Sequence, residues 1–534
     1  MSDPKNAYVW NDEFIIPDGN IYFKDGNLDF PPGERKDGFY RTRFGPMVGH
    51  SGEVCGAEDI NQNLGLRRLT GKRAPEQPGF HELLCENQSR WFIRNKPFFR
   101  EVGKLYEPHM QSYTCSEEEC EEHYADTHKK QRLRIEAFRE LLNSGELSKA
   151  KSLWVKKILW KMKRAETKKF GKKTRMIGDL GVGASLRGFR LTNALKVAQA
   201  TERVYYKGGE IMFCKSPDPV ALSEAFDKLI NPPGRFFFVY FSDDSCLSIR
   251  RGDKIDRYNL DISSCDASHG PEIFKTLVDI VPERMRADMQ ILVDQCKLPA
   301  HIQSFQDRRK KVKLIPRRPL LFSGSTITTA INNIANLAIA KSIADCDYRG
   351  EADVMFAAQD VGYIVSGCKP LEFIEDLQFL KNSPVLDTQG NWKPMLNLGV
   401  LLRASGTCEG DLNGRGDLRE RAREFQRGLL HGAYPFTNFQ MLDNMKMAMG
   451  EGKLSQQAMD QFEYKVVKND SYPPYRCDED SLYRRYRLTP LEVAELLEFS
   501  KSDVFTEFSS GGASKILKTD YSLTTLDHVG REVF

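Results

Sequence analysis

The sequence predicts an α+β fold built on an antiparallel sheet, and three observations carry that expectation. The apolar, β-prone runs Phe236 to Phe241 and Cys246 to Ile249 flank Ser242-Asp243-Asp244-Ser245, the pattern of a tight hairpin. Tyr258-Asn259-Leu260 is a further strand signal, and it leads into Asp261. Helical periodicity recurs elsewhere, in Leu133 to Leu142, in Leu147 to Met162, in one or two helices between Pro271 and Ile315, and in the stretch beyond Gly416.

Length and composition bound the reading. A chain of 534 residues is long enough for three or four domain-sized units or one large multi-lobed body. A hydrophobic content of 40% and a charged content of 28% are ordinary for a globular protein. The 78 basic and 74 acidic residues leave a net charge of only +4, so any affinity for nucleic acid must come from local patches. Two such patches exist, Lys156 to Arg175 and Arg308 to Arg318, and either could equally be a solvated face. Twelve cysteines without a repeating framework point to reduced thiols. No apolar run approaches the ~18 residues that cross a bilayer, and the N-terminus lacks a signal-peptide core.

In chain order, residues 1–105 are rich in Gly, Pro and aromatics and read as an irregular extension or accessory layer. Cys115, Cys120, His123 and His128 follow, open to two readings: a zinc site, or an acidic helix start with incidental thiols. Lys172 to Gly178 alternates charged and uncharged residues as a strand would, which puts Lys173 and Arg175 on one face. After the acidic stretch, the Ser323-Gly324 loop feeds an apolar helix ending near Ala344, on which Thr328 and Asn332 share a face. Phe356 to Val365, Leu377 to Leu386 and Trp392 to Leu402 read as strands. Thr489-Pro490-Leu491-Glu492 carries a cap residue, a proline at the first helical position and a glutamate at the third, and it opens a helix through Phe499. The tail around Gly511-Gly512 reads as partly mobile.

The chemistry concentrates at the strand ends. Asp243, Asp244 and Asp261, with Asp266 five residues further on, would raise one another's pKa unless divalent cations neutralise them. Magnesium, or manganese in its place, suits an all-oxygen set and leaves room for phosphates. That combination implies two-metal phosphoryl transfer. Lys173 and Arg175 could grip a triphosphate, the arginine by bidentate contacts and the lysine as a point charge.

Taken together, these residues resemble a viral RNA-dependent RNA polymerase with motifs like those of the tombusvirus and nodavirus lineage of positive-strand RNA viruses. Asp261-Ile262-Ser263-Ser264-Cys265-Asp266 resembles palm motif A, and Ser323-Gly324, Thr328 and Asn332 fit motif B without a gap. Lys173, Arg175 and Ile177 resemble the basic fingers motif, and Phe379 to Val385 resembles the primer-grip strand. Motif C departs from the usual pattern. The Asp-Asp hairpin at Ser242-Asp243-Asp244 precedes motif A, while the expected place holds Ala358-Gln359-Asp360. A C-A-B order is similar to the permuted palms of permutotetraviruses and birnaviruses.

The resemblance implies a right-hand polymerase: an extension over 1–135, fingers over 136–235 and 271–320, palm over 236–270 and 321–402, and thumb and tail over 403–534. It implies that Asp243 and Asp261 hold magnesium, with Asp244 a secondary ligand. Asp266 and Asn332 would recognise the ribose 2′-hydroxyl, Lys173 and Arg175 the triphosphate, and Ser323 and Gly324 would line the loop beside template and nucleotide. Lys369 is the candidate general acid. The implied partners are RNA template and product and ribonucleoside triphosphates, with a viral or host protein recruiting the enzyme to membranes of the host cytoplasm. Rival readings are a reverse transcriptase and a non-catalytic RNA-binding replication scaffold. The test between the two motif C candidates is whether Asp243 or Asp360 lies nearer Asp261.

Overall fold

The computed structural model describes residues 79–111, 113, 175–303 and 311–534, apart from 181, 216–217, 299, 317, 407, 410–415, 463–464, 467–471, 505 and 528. Short segments at 14–15, 21–23, 39–40, 47–55, 72–73, 158–162 and 166–169 are also described. Lys173, Cys115, Cys120, His123 and His128 lie outside the described residues.

Helices α1 (Phe80–Arg94) and α2 (Lys96–Tyr106) open the main body. Both were read as part of an irregular extension, yet Trp91, Phe92, Phe99, Val102 and Tyr106 sit in the same core as the central sheet. Next come strands β1 (Ile158–Met162) and β2 (Met176–Asp179), paired antiparallel, so residues 158–162 are strand and not the end of a helix. Helix α3 (Val182–Thr201) follows, then β3 (Val204–Tyr206), β4 (Gly209–Phe213) and α4 (Pro219–Ile230), whose cap Asp218 accepts from the Val220 N–H at 2.9 Å.

The central strands are β5 (Phe236–Phe241), β6 (Asp244–Arg251) and β7 (Lys254–Ile262). Phe236, Phe238 and Tyr240 face one core, while Phe237 and Val239 face a second one with Leu222, Phe226 and Leu229 of α4. A strand covered on both faces needs an unbroken apolar run, which is why residues 236–241 do not alternate. Helices α5 (Pro271–Ile280) and α6 (Glu283–Gln295) then lead into strands β8 (Ala300–Gln303) and β9 (Lys311–Pro316). The region read as helical up to Ile315 therefore ends in a β-hairpin.

Helix α7 (Thr328–Asp345) is buried all round from Ala330 to Ala344, as its nearly uniform apolar sequence requires. Helix α8 (Glu351–Asp360) takes the first half of the stretch read as a strand from Phe356 to Val365. It stops at Gly362, whose φ of 84° suits a residue lacking Cβ, and the Gly362 and Tyr363 N–H groups close back onto Gln359 and Ala358. Only Val365–Ser366 (β10) is strand. Strands β11 (Asn382–Leu386) and β12 (Trp392–Leu396) form a separate hairpin, and the apolar run beyond β12 turns into helix α9 (Leu398–Ser405).

Six strands form the main sheet in the order β3-β4-β5-β6-β7-β10, antiparallel except for the β4–β5 pair. A second sheet orders residues 21–23, β9, β8, β1 and β2. The C-terminal part is largely helical: α10 (Leu418–Ala433), α11 (Gln440–Met449), α12 (Glu479–Arg484), α13 (Pro490–Phe499) and α14 (Gly511–Tyr521). Helix α13 has the capping box its sequence announces, formed by Thr489 and Glu492. The tail read as mobile is instead α14, with Ala513, Ile516 and Leu517 fully buried in the C-terminal core. Among the described residues, no helix is long and apolar enough to cross a membrane.

Candidate active site

The acidic residues meet at one end of the main sheet. Asp244, the first residue of β6, is the direct cross-strand partner of Asp261 near the end of β7. Directly opposed residues in an antiparallel pair have Cα atoms about 4.5–5.5 Å apart and project to the same face. Asp243 stands exposed at the tip of the β5–β6 turn, and Asp261 is exposed beside it. The residue Asp244 is partly exposed, but its carboxyl is enclosed. Burial first, then the charges of Asp243 and Asp261, push its pKa up to about 7 against the opposing pull of the Leu380 N–H and Lys381. Asp266 belongs to the same cluster: burial first, then the charges of Asp266, Asp243 and Asp261, hold the Cys265 thiol well above its ordinary range.

The β5–β6 turn is held by one helix. Ser242 has a φ of 54°, the left-handed region where glycine is the easier residue. Its N–H donates to Asn333 Oδ1 at 2.7 Å, its carbonyl accepts from Asn336 Nδ2, and its Oγ accepts from Asn332 Nδ2 at 3.3 Å. Three asparagines on α7 therefore receive every polar group of a residue that has left the β ladder. Buried amides demand partners, and the turn supplies one to each, though Asn336 Oδ1 is left without a hydrogen bond among the described residues. Asn333 and Asn336 hold this turn, a role that sequence reasoning passed over; the signal was there, since Asn332-Asn333 and Asn336 are polar exceptions in the apolar stretch from Ala330 to Ala340.

Asn332 is the point where the motifs converge. Its Nδ2 also donates to Asp266 Oδ1 at 3.4 Å, and its Oδ1 lies 2.8 Å from His269 Nε2 and 3.4 Å from Cys265 Sγ. Ser323 Oγ donates to the other oxygen of Asp266 at 3.4 Å. Thr328, one turn before Asn332, instead donates to the Phe322 carbonyl at 2.8 Å and shapes the loop. Gly324 is exposed at a φ of 94°, and a Cβ there would come within 2.3 Å of the Gly178 carbonyl. That close approach lets the Gly178 N–H of β2 donate to the Ser323 carbonyl at 2.7 Å. Arg175 is exposed just before β2, so this contact carries the basic strand to the Ser323 loop.

Two further segments support the site. Gln88 of α1 donates to the Ser268 carbonyl at 3.0 Å and accepts from the Gly270 N–H at 2.6 Å, so the N-terminal helices brace the loop that carries Asp266. On the opposite side, Phe379 and Asn382 close a two-residue turn in which Leu380 (φ 52°) and Lys381 (φ 60°) are both left-handed. The Leu380 N–H donates to Asp244 Oδ2 at 2.7 Å, and the Lys381 amine donates to the Asp520 carbonyl at 3.2 Å. The segment read as one strand from Leu377 is thus broken by a strained turn whose tip touches the acidic cluster.

Asp360 ends α8, where burial raises its pKa against the opposing charge of Arg94. Lys369 is exposed beyond β10. Among the described residues, Cys265, Asp266 and His269 are the one group of three whose ligating atoms all lie within 4.8 Å of one another, a mixed soft and hard set. Its thiol and ring nitrogen both converge on Asn332 Oδ1, which makes it a hydrogen-bond cluster.

The site is thus a group of carboxylates at the open end of an antiparallel sheet, backed by a buried helix and flanked by a glycine loop. No protein-family model matches the chain. No curated protein matches it. Among solved structures it is similar to a birnavirus VP1–VP3 complex, at 13% identity and a TM-score of 0.38, over 54% of this chain and 44% of that one. It is also similar to the RNA polymerase VP1 from Infectious Pancreatic Necrosis Virus, at 12% identity and a TM-score of 0.38, over 70% of this chain and 60% of that one. The chain therefore spans less than two thirds of the length of either.

Proposed function

We propose that the protein is an RNA-directed RNA polymerase that copies a viral RNA genome, with its palm motifs in the order C-A-B. The observation that carries this reading is the pairing of Asp244 with Asp261, which sets the Asp243-Asp244 hairpin beside the strand that leads to Asp266, itself bonded by Asn332. The electrostatic neighbours of Asp244 are Asp243 and Asp261, whereas that of Asp360 is Arg94, and this favours Asp243-Asp244 as motif C.

The donor set fits magnesium, or manganese in its place, because Asp243 and Asp261 are oxygen ligands that flank Asp244 at the end of the sheet, and their charges add to the burial that raises its pKa. Asp243 and Asp261 are the residues to hold two ions, with Asp244, already engaged by the Leu380 N–H, in a secondary role. Bound there, such ions supply activation of an RNA 3′-hydroxyl and stabilisation of the charge that develops at the transferred phosphoryl group. Asp266 and Asn332 are the pair to recognise the ribose 2′-hydroxyl, which is both donor and acceptor and would replace Ser242 Oγ or Asp266 as the partner of one Asn332 N–H. Lys173 and Arg175 bind the triphosphate, and Ser323 and Gly324 line the nucleotide side of the cleft. The 3′-oxygen forms its bond to the α-phosphorus as the bond to the pyrophosphate oxygen breaks, and Lys369 is the candidate to protonate the departing pyrophosphate. The partners are RNA template and product and ribonucleoside triphosphates, with a viral or host protein bringing the enzyme to membrane-associated replication complexes in the host cytoplasm.

The test is incorporation of labelled nucleotide on a defined RNA template with and without magnesium. Template-dependent, metal-dependent extension is expected. RNA binding without incorporation in any divalent cation would replace this reading with a replication scaffold, and preferential use of deoxynucleotides would replace it with a reverse transcriptase.

A further inference from the structure

Asn332 can discriminate a sugar only if its amide faces the right way, because its two ends are nearly the same shape and opposite in hydrogen bonding. On one side stand Asp266 Oδ1 at 3.4 Å and Ser242 Oγ at 3.3 Å. An ionised carboxylate only accepts, so the nitrogen must point there. On the other side stand His269 Nε2 at 2.8 Å and Cys265 Sγ at 3.4 Å, and the amide oxygen has two lone pairs to receive them. Burial keeps the thiol protonated and able to donate.

The histidine must then carry its hydrogen on Nε2, and what enforces that tautomer is Tyr363. The Tyr363 hydroxyl lies 2.7 Å from His269 Nδ1, the side chain is fully buried, and burial holds its pKa well above the usual phenol range. Among the described residues this buried hydroxyl has no other hydrogen-bond partner, so its proton goes to Nδ1. Nδ1 therefore accepts, and Nε2 is left to donate. Tyr363, His269 and Asn332 thus form a chain in which each donor fixes the next, ending at the amide nitrogen beside Asp266. Tyr363 follows the Gly362 turn at the end of α8, a position with no other role in the site.

We propose that His269, locked by Tyr363, is a positioning residue that acts with Asp266 to hold the orientation of the Asn332 amide and through it the preference for ribonucleotides; the inference rests on the polymerase reading. Neither residue touches substrate. Without the phenol, the imidazole is able to carry its hydrogen on Nδ1, which turns the Nε2 lone pair toward the amide and admits the flipped form. A flipped Asn332 offers an oxygen where the sugar hydroxyl needs a donor.

The experiment measures kcat/KM for a ribonucleotide and its 2′-deoxy analogue in the unaltered protein, Tyr363→Phe, His269→Phe and His269→Gln. Tyr363→Phe and His269→Phe are expected to lower the ribo-over-deoxy ratio about tenfold, the scale of one misdirected hydrogen bond, with deoxynucleotide use nearly unchanged. His269→Gln, which keeps a donor for the amide oxygen, should recover part of the ratio. A merely structural role lowers both substrates together. An equal loss, or an unchanged ratio in folded Tyr363→Phe, overturns the inference while polymerisation itself still stands. If Tyr363→Phe does not fold, equal ratios in the two His269 variants overturn it. Failure of the unaltered protein to extend RNA overturns the polymerase reading, and the inference with it.

Discussion

The mouth of the main sheet and the C-terminal helical core both gather carboxylates, and they treat them in opposite ways. In the C-terminal core, Asp520 is almost fully buried and receives the Arg485 guanidinium at 3.1 Å, the Tyr486 hydroxyl at 2.9 Å and the Gly399 N–H at 2.8 Å. Glu375 likewise accepts from Arg484 at 2.9 Å and from the Ser481 hydroxyl at 3.1 Å. At the sheet mouth, Asp244 accepts from the Leu380 N–H and Asp266 from the Asn332 amide and the Ser323 hydroxyl, all neutral donors. Neutral donors aim a carboxylate without cancelling its charge, and a guanidinium does both. One region uses its acids to fix helices to each other; in the other, burial and the charges of Asp243 and Asp261 lift the pKa of Asp244 to about 7 against the pull of Lys381.

The sharpest way to break this comparison is to neutralise the mouth. Asp243→Asn and Asp261→Asn should each reduce nucleotide incorporation by about a thousandfold or more, because several kcal/mol of transition-state stabilisation go with a metal ligand. RNA affinity in a filter or anisotropy assay should stay nearly unchanged, and robust synthesis by either variant would end the assignment. In the other region, Arg485→Ala should cost about 3–5 kcal/mol in denaturant unfolding, since it leaves Asp520 buried beside a lost cation. An effect below about 1 kcal/mol would mean the pair is not what fastens α14.

Asp244 should behave as a site acid even without substrate. Its pKa is raised from 3.8 to about 7 on folding, so its contribution to stability is fully present below about pH 4 and lost as pH rises to about pH 7. Asp244→Asn, which still offers an oxygen to the Leu380 N–H, should flatten that part of the metal-free stability profile. An unaltered slope in pH-dependent unfolding would show the carboxyl to be less enclosed. Asn332→Ala should lower the ribo-over-deoxy preference about tenfold in direct competition, and an unchanged preference would leave Asn332 as a clamp on Ser242 alone. The smallest effect belongs to Ser242→Gly: relief of the left-handed backbone, worth about 1 kcal/mol, is opposed by loss of the bond from Asn332, so the midpoint of unfolding should barely move.

Much of the sheet was legible because its signals are local. Phe236–Phe241, the Asp-Asp turn and β7 announce themselves by composition, and the Thr489 capping box reads directly from four residues. What misled was length and context. The run through Ala357 and Ala358 is apolar enough for a buried strand or a buried helix, and only tertiary packing against α1 and α7 chose the helix. Helices α1 and α14 carry only a weak periodic signal, whereas α2 places Phe99, Val102 and Tyr106 on one face at helical spacing, a signal that its aromatic-rich surroundings masked. Within the site, the four aspartates and Asn332 stand out by residue type. Asn333 and Asn336 show only as polar residues in an apolar run, and Gln88, Leu380 and Tyr363 do not stand out, since their importance lies in contacts between residues as many as 182 positions apart.

A hairpin tip is ordinarily the first part of a sheet to fray. The Ser242 amide hydrogen, although it sits at such a tip, is bonded to an asparagine that is 0% exposed on a helix buried on every side. Its exchange with solvent then cannot proceed by local breathing of the turn; it has to wait until the sheet and α7 part company. In hydrogen exchange this one amide should report the slowest opening of the main core, and the reaction centre would keep its shape for as long as that core endures.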